Sequence, residues 1–226
     1  MPNEITLSFG LPDGRLDLRA ADLDHWAEHL AWCCTIMGIA PGATIGVIDF
    51  GTSPIAFLGS ALLTPMLEAG LAERLRGRVI CLDASRERVA LVPSILKQVA
   101  FDALCVRAEA VPALITYCRE AEQPLDGITI ITTFGLERRD PVAAFPRGRR
   151  MALAEAGMLM APECAVCGQM HLRHSHYDQT PDGGAVVARR GGALVALPAD
   201  MAPDLAPGCP AGPEDWRIAI AGKDAP

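Results

Sequence analysis

Apolar residues recur at helical spacing between Asp22 and Gly38, with Leu23, Trp26, Ala27, Leu30, Cys34 and Met37 forming one stripe. That period predicts an amphipathic helix over 22–38, with Asp22 as its N-cap and Gly38 and the following Ala-Pro-Gly ending it. The pattern then changes to ATIGVIDF (43–50), a short apolar run with β-branched residues that reads as a strand. A turn at Gly51–Ser53 leads into a long helical segment from Pro54 to about Leu75, and proline suits a first helical turn. RVICLD (78–83) reads as a buried strand and RERVALVPSILKQV (86–99) as a helix despite Pro93. ALCVRA (103–108), VPALITYCREAE (111–122) and GITIITTFG (127–135) continue as strand, helix and strand.

Strand and helix alternating in this way require crossover connections. They predict an α/β fold whose mainly parallel, doubly wound sheet is flanked by helices on both faces. Ligands on such sheets bind beyond the carboxyl ends of the strands, here near Asp49–Ser53, Asp83–Ser85, Arg107–Glu109 and Thr133–Glu137. After residue 160 the character shifts. A Cys/His-rich loop is followed by AVVARRGGALVAL, which reads as a small β-hairpin around Gly191-Gly192, and by an irregular Pro/Gly/Ala-rich tail from about Pro198. The expected organisation is an α/β core over 1–160, with the loop, hairpin and tail of 161–226 belonging to the same compact unit.

Composition narrows the partners. With 20 basic and 27 acidic residues the 226-residue chain carries a formal charge of −7, which argues against nucleic acid or an anionic membrane as the main partner. A local basic patch at Arg147, Arg149 and Arg150 is the exception. MPNEITLSFG has no basic region followed by an apolar run, and no apolar stretch reaches the length of a membrane span, so a cytoplasmic protein is expected. A reducing compartment favours free thiols or metal thiolates over disulfides. Of the 8 cysteines, Cys33, Cys34, Cys81, Cys105 and Cys118 lie in predicted helices and strands and read as buried small hydrophobes.

Cys164, Cys167 and Cys209 lie in loop-like sequence, and Cys164 and Cys167 share a thirteen-residue stretch with His171, His174 and His176. Three readings compete: a closed structural metal site, unliganded thiols beside solvated histidines, or a catalytic metal held by HSHYD (174–178). Against the last, metallo-hydrolase H-x-H-x-D motifs normally continue to a histidine, and Gln179 stands there. His25 and His29, one helical turn apart, could bind a metal, although an exposed helix face explains them as well. Asp49 and Asp83 end predicted strands, where capping and pocket roles are equally expected, and Arg138, Arg139 and Asp140 read as a solvated charge run.

The order of segments resembles the phenylacetate-CoA ligase branch of the adenylate-forming enzymes. That family places a phosphate loop of the type SSGTTGKP before a helix reading D-I-D-x-W-A; here SFGLPDGR (8–15) precedes DLDHWAEHL (22–30). Its G-I-x-P-G-D-x-V strand entry is matched by GIAPGATIGV (38–47), and its F-G-A-E-P is echoed by FGLER (134–138). The family's Y-G-L-S-E corresponds to MALAE (151–155), its E-C and L-H to Glu163-Cys164 and Met170-His171, and its late D-L and C-x-C-G to Asp204-Leu205 and CPAG (209–212).

The resemblance implies ATP-dependent activation of a carboxylic acid and transfer to CoA, with Ser8, Gly10, Glu137, Glu155 and Asp204 at the matching nucleotide-site positions. The departures weaken that implication. Phe9, Leu11 and Pro12 replace polar positions of the phosphate loop, Arg15 stands only roughly for its lysine, and Met151-Ala152 replace Tyr-Gly. On this resemblance the family's C-terminal domain with its adenylation lysine is expected to be absent, the lysines here being Lys97 and Lys223.

Some family members bind a structural zinc through the E-C cysteine, the L-H histidine and both cysteines of C-x-C-G. The last of these is Ala211 here, while Cys167 forms a C-x2-C pair with Cys164. Cys164, Cys167, His171 and Cys209 thereby restore the four ligands of closed tetrahedral zinc, tying the tail to the loop. His174 and His176 read as bystanders or substitutes within that set.

The expected protein is a non-catalytic, zinc-containing relative of acid-CoA ligases. It would bind a small carboxylate, acyl or nucleotide-like ligand, or a protein partner as an accessory subunit; self-association is compatible with either. The alternatives are residual AMP-forming ligase activity, with ATP and CoA bound and a partner chain supplying the missing domain, and a zinc-dependent hydrolase using HSHYD.

Overall fold

The computed structural model describes residues 7–11, 14–51, 53–59, 67–135, 145, 148–154, 159–181, 185–189, 194–196, 203–204, 209–213 and 215–218. An N-terminal hairpin, β1 (Leu7–Leu11) and β2 (Gly14–Leu18), leads into helix α1 (Ala20–Ile36). The core alternates β3 (Thr44–Ile48), α2 (Pro54–Leu58), α3 (Leu71–Leu75), β4 (Arg78–Leu82), α4 (Arg86–Val89), α5 (Val92–Leu96), β5 (Ala103–Arg107), α6 (Val111–Glu120) and β6 (Thr129–Gly135). Two further strands, β7 (Arg149–Ala154) and β8 (Leu159–Pro162), complete a six-stranded sheet of order β4-β3-β5-β6-β7-β8. All its pairings are parallel except β7 with β8, which is antiparallel.

The predicted α/β sheet is therefore present, and the reason is visible along each central strand. Ile45 and Val47 of β3 and Ala103 and Cys105 of β5 join the core under α1, whereas Ile48, Leu104 and Val106 join the core under α4–α6. Strands apolar on both faces are what a doubly wound sheet requires. RVICL, expected to be buried, is instead the edge strand β4, and its Cys81 is exposed. Its place at the end of the strand order leaves one side without a paired strand among the described residues.

Helix boundaries shift for local reasons. α1 begins at Ala20, and Asp22, expected as the cap, sits at the third helical position and accepts from the Arg19 N–H at 3.0 Å. Of the long helix expected from Pro54 to Leu75, the described residues show two five-residue pieces, α2 and α3, with Leu67–Gly70 non-helical and Glu73 accepting from the Gly70 N–H at 2.9 Å to start α3; residues 60–66 lie outside the described residues. Over 86–99 the helix restarts as α5 with Pro93 in its first turn, because proline has no N–H to continue α4.

Beyond residue 160 the chain forms β9 (Met170–Leu172), β10 (Tyr177–Gln179), β11 (Ala185–Ala188), β12 (Leu194–Ala196), β13 (Pro203–Asp204) and β14 (Trp216–Ile218). The hairpin around Gly191-Gly192 is β11–β12, antiparallel with Val186 opposite Val195; its turn lies outside the described residues, and β10 adds a third strand. The tail is less irregular than expected, since β14 pairs with both β9 and β13. Met170, Leu172, Tyr177, Val186 and Trp216 share the core of α1. Among the described residues no helix is long and apolar enough to cross a membrane.

Gly77, between α3 and β4, lets the Arg78 N–H reach Ala43 O at 3.0 Å; a Cβ on Gly77 would stand 2.2 Å from that same oxygen. Gly77→Ala is expected to cost on the order of 2 kcal/mol of unfolding free energy, because backbone rather than a side chain must yield. Urea unfolding of the two proteins measures it, and an unchanged midpoint would show that the β3–β4 start is not so closely packed.

Candidate metal centre

Glu163 follows β8 directly, and its carboxylate accepts from the backbone N–H and the Nε of Arg150, at 3.1 and 3.2 Å, which pairs one member of the predicted basic patch; Arg147 lies outside the described residues. Cys164 begins a tight knuckle. The Val166 N–H donates to Cys164 Sγ at 3.3 Å, the Gly168 N–H to Cys164 O at 3.0 Å, and the Cys164 N–H to Gln169 O at 2.8 Å. Gly168 has φ +69, a conformation that favours glycine and lets the chain double back into β9. The Ala165 N–H donates to Ile36 O at 2.8 Å and fastens the knuckle to the end of α1.

His171 is carried by β9, opposite Arg217 of β14. Cys209 arrives from the tail and packs with Cys164 against Ile36, with Trp32 and Cys167 at the margin. Cys164, His171 and Cys209 are buried and Cys167 is half-buried. The ligand atoms of all four lie within 4.8 Å of one another, so they could hold a metal ion. Cys164 Sγ and Cys209 Sγ are 3.7 Å apart, and Cys167 Sγ and His171 Nε2 3.2 Å. Metal–sulfur bonds of about 2.3 Å set tetrahedral sulfur–sulfur separations of roughly 3.8 Å, close to the first of these.

The thiols are unequal. Burial opposes ionisation of Cys209, yet the backbone N–H groups of Ala211 and Gly212 and the Cys167 and Cys164 thiols around it bring its pKa down overall. Burial pushes Cys167 up to about 11, with Cys209 and Cys164 adding to that rise. A cation entering the cluster would favour the thiolates of all three.

Asp215 was not signalled by spacing or motif. Its Oδ2 lies 3.6 Å from His171 Nδ1, a nitrogen otherwise buried without a hydrogen-bond partner. The approach depends on Gly212, where a Cβ would stand 2.0 Å from Asp215 Oδ2 and 3.1 Å from His171 Nδ1. A carboxylate behind a histidine ligand orients the ring and raises its basicity.

The other histidines are arranged differently from expectation. His29, read as part of an exposed helix face, is fully buried, and its Nε2 meets Tyr177 Oη at 2.9 Å and Met160 O at 3.1 Å. His176 stacks on His25 at 4.0 Å and on His29 at 4.6 Å, and His29 stacks on Trp32 at 5.1 Å. His174 packs edge-on against Trp216, and Asp178 pairs with Arg189. Among the described residues His174, His176 and Asp178 do not group around one point, and neither His174 nor His176 joins the cysteine cluster.

Of the residues matching a nucleotide site, Ser8 donates to Asp17 at 2.5 Å within the β1–β2 hairpin and Gly10 lies opposite Arg15 there. Asp204 lies on β13 in another sheet, and Glu137 and Glu155 fall outside the described residues, as do Arg138, Arg139 and Asp140. Asp49 is buried and anchors the loop after β3, accepting from Ser53 Oγ at 2.7 Å, the Phe50 N–H at 2.8 Å and Arg107 at 3.1 Å. Asp83 makes the simpler strand-end cap, accepting from the Ser85 N–H.

No protein-family model matches the chain, and no curated protein matches it in sequence. Solved structures do match its fold. 2-Hydroxyisobutyryl-CoA ligase, crystallised in an open conformation with 2-HIB-AMP and CoA, matches with a TM-score of 0.71 at 16% identity, over 96% of this chain and 53% of that one. The same ligase in its thioesterification state gives 0.65 at 17% identity, over 95% and 50%. An acyl-CoA synthetase (AMP-forming)/AMP-acid ligase II-like protein from Dyadobacter fermentans DSM 18053 gives 0.52 at 10% identity, over 94% and 58%. The chain spans about half the length of these proteins and shares the fold of that half.

Two measurements test the geometry. Asp215→Ala is expected to weaken metal binding about 10–100-fold while leaving the thiol count unchanged, as removal of a carboxylate behind a metal-bound histidine does. Affinity by competition with a chromophoric chelator reads this, and an unchanged affinity would mean that Asp215 does not orient His171.

The histidine stack sets a pH dependence. Burial, followed by His25 and Arg173, lowers His176 to about 4, and burial, followed by His176, lowers His29 well below its usual 6.5. Below 6.5 the unfolded chain takes up protons that the folded one refuses, so stability is full above that value and falls as pH drops towards 4. The His176 part is on the order of 2 kcal/mol. His176→Gln should flatten the fall in thermal midpoint across this window; an equally steep fall would assign it to other groups.

Proposed function

We propose that the protein is a non-catalytic, zinc-containing relative of the acid-CoA ligases of the phenylacetate-CoA ligase type, with a structural metal ion at Cys164, Cys167, His171 and Cys209. The observation that carries the reading is the convergence of three thiols and one imidazole within 4.8 Å, in the soft, four-ligand set that closed zinc sites use. Four protein ligands leave no position for a reacting water, so the ion holds structure and does not perform chemistry. It fastens the tail to the C-terminal end of α1.

The reading as a binding protein or accessory subunit rests on the phosphate loop. Adenylation depends on positioned charge around the phosphates, each element contributing orders of magnitude in rate. In SFGLPDGR apolar residues and proline occupy positions that should offer hydroxyls and N–H groups, and Met151 and Ala152, in the Tyr-Gly positions, are buried in the sheet. The inherited cleft beyond the strand ends is then a place for a small carboxylate, acyl or nucleotide-like ligand.

A ligase reading has one observation in its favour, the match over 96% of the chain to a ligase crystallised with an acyl-adenylate and CoA. One experiment separates the two. Purified without chelator, the protein should contain one zinc per chain, Cys167→Ser should lose most of it, and neither should sustain ATP–pyrophosphate exchange with a panel of aryl acids. Exchange abolished by Glu155→Ala would establish the ligase instead, and a metal-free wild type would refute the zinc assignment.

A further inference from the structure

We propose that His25, Glu28 and His176 form a second, separate site for a first-row divalent metal ion, open to solvent on one side. His25 and Glu28 are three residues apart on α1, which puts them on one face of the helix, and the turn before β10 brings His176 onto that face. One ligand atom from each lies within 4.8 Å of the others.

His176 supplies the strongest indication. It is 3% exposed, and its Nε2 is buried with no hydrogen-bond partner among the described residues. Its other nitrogen, Nδ1, is 3.0 Å from Ser175 Oγ. A hydroxyl accepting from Nδ1–H leaves the Nε2 lone pair free to bind a cation, the usual arrangement behind a metal-bound histidine. His29, the third ring of the stack, has its Nε2 engaged by Tyr177 and Met160 and is not among the three residues whose donor atoms converge.

Two features set the character of the site. Glu28 accepts from Arg173 Nη1 through Oε1 at 2.7 Å, and one oxygen of the same carboxylate is the third donor. The His25 and His176 rings lie nearly parallel, 14° apart, so their in-plane lone pairs do not meet unless one ring turns. Binding would therefore require a turn of one ring, and His25 is the less buried of the two. Two imidazoles and a carboxylate suit zinc, nickel or cobalt, and three protein ligands leave positions for water. The site is distinct from the cysteine cluster: eleven residues of α1, roughly 16 Å along the axis, separate His25 from Ile36. An ion here would fasten the 173–176 turn to α1.

The test is equilibrium dialysis of the full chain, as purified, against nickel, with absorption spectra recorded alongside. Wild type should take up one nickel ion per chain without thiolate-to-metal charge-transfer absorption. His25→Gln, at a half-buried position on α1, should abolish that uptake, Glu28→Gln should weaken it about tenfold, and His174→Gln should leave it intact. A circular dichroism spectrum matching wild type shows that each variant is folded. Equal uptake by wild type and His25→Gln, uptake only with thiolate absorption, or no uptake by wild type would each overturn the site.

Discussion

Helix α1 has to be buried on more than one side, and the second half of the chain is organised around meeting that requirement. Leu23, Trp26, Ala27 and Leu30 are almost wholly removed from water, and so are Cys33 and Ile36. Such a helix cannot lie on the surface of a two-layer fold. The residue that decides its surroundings is His29, because a buried imidazole needs hydrogen-bond partners. It finds them in Met160 O on β8 and Tyr177 Oη at the start of β10, and Tyr177 Oη in turn accepts from the Met160 N–H at 3.0 Å. One histidine thus joins the helix, the antiparallel last strand of the sheet and the segment after the knuckle.

Much of this was readable in the residues, though unevenly. The central strands were legible because a strand buried on both faces is apolar at successive positions, and β3 and β5 are. The edge position of β4 was not, since RVICL has the composition of an interior strand and only the order of strands exposes it. The helix restart at Pro93 follows from a missing N–H, whereas the break between α2 and α3 depends on a cap that Glu73 makes to Gly70. Within the six-stranded sheet, β7 and β8 went unread because RRMALA and LMAP carry no alternation to distinguish them from loop or helix.

The candidate metal centre was legible as a donor set and not as a place. Cys164 and Cys167 declare a knuckle by spacing, and His171 and Cys209 entered through resemblance to a family. That Ile36 and Trp32 would form its floor was not readable, nor that Asp215 would stand behind His171, because both depend on how β14 pairs with β9. The histidines of α1 show the same limit. His29 is separated from its partners by 131 and 148 residues, so its burial is a property of the assembled fold and of nothing local.

The spacing of the four candidate donors along the chain would also set an order of events in folding around the proposed ion. Cys164, Cys167 and His171 lie within eight residues, so a nascent segment can gather them around an ion at little entropic expense, while Cys209 is 45 residues beyond Cys164. Closing that distance in a flexible chain carries a length-dependent term of roughly 3 kcal/mol. Strands β9 to β13 lie inside the interval, and forming them first shortens the gap. With an ion bound as proposed, Cys209 would act as a checkpoint: a three-donor cluster would close only once the segments between had found their registers.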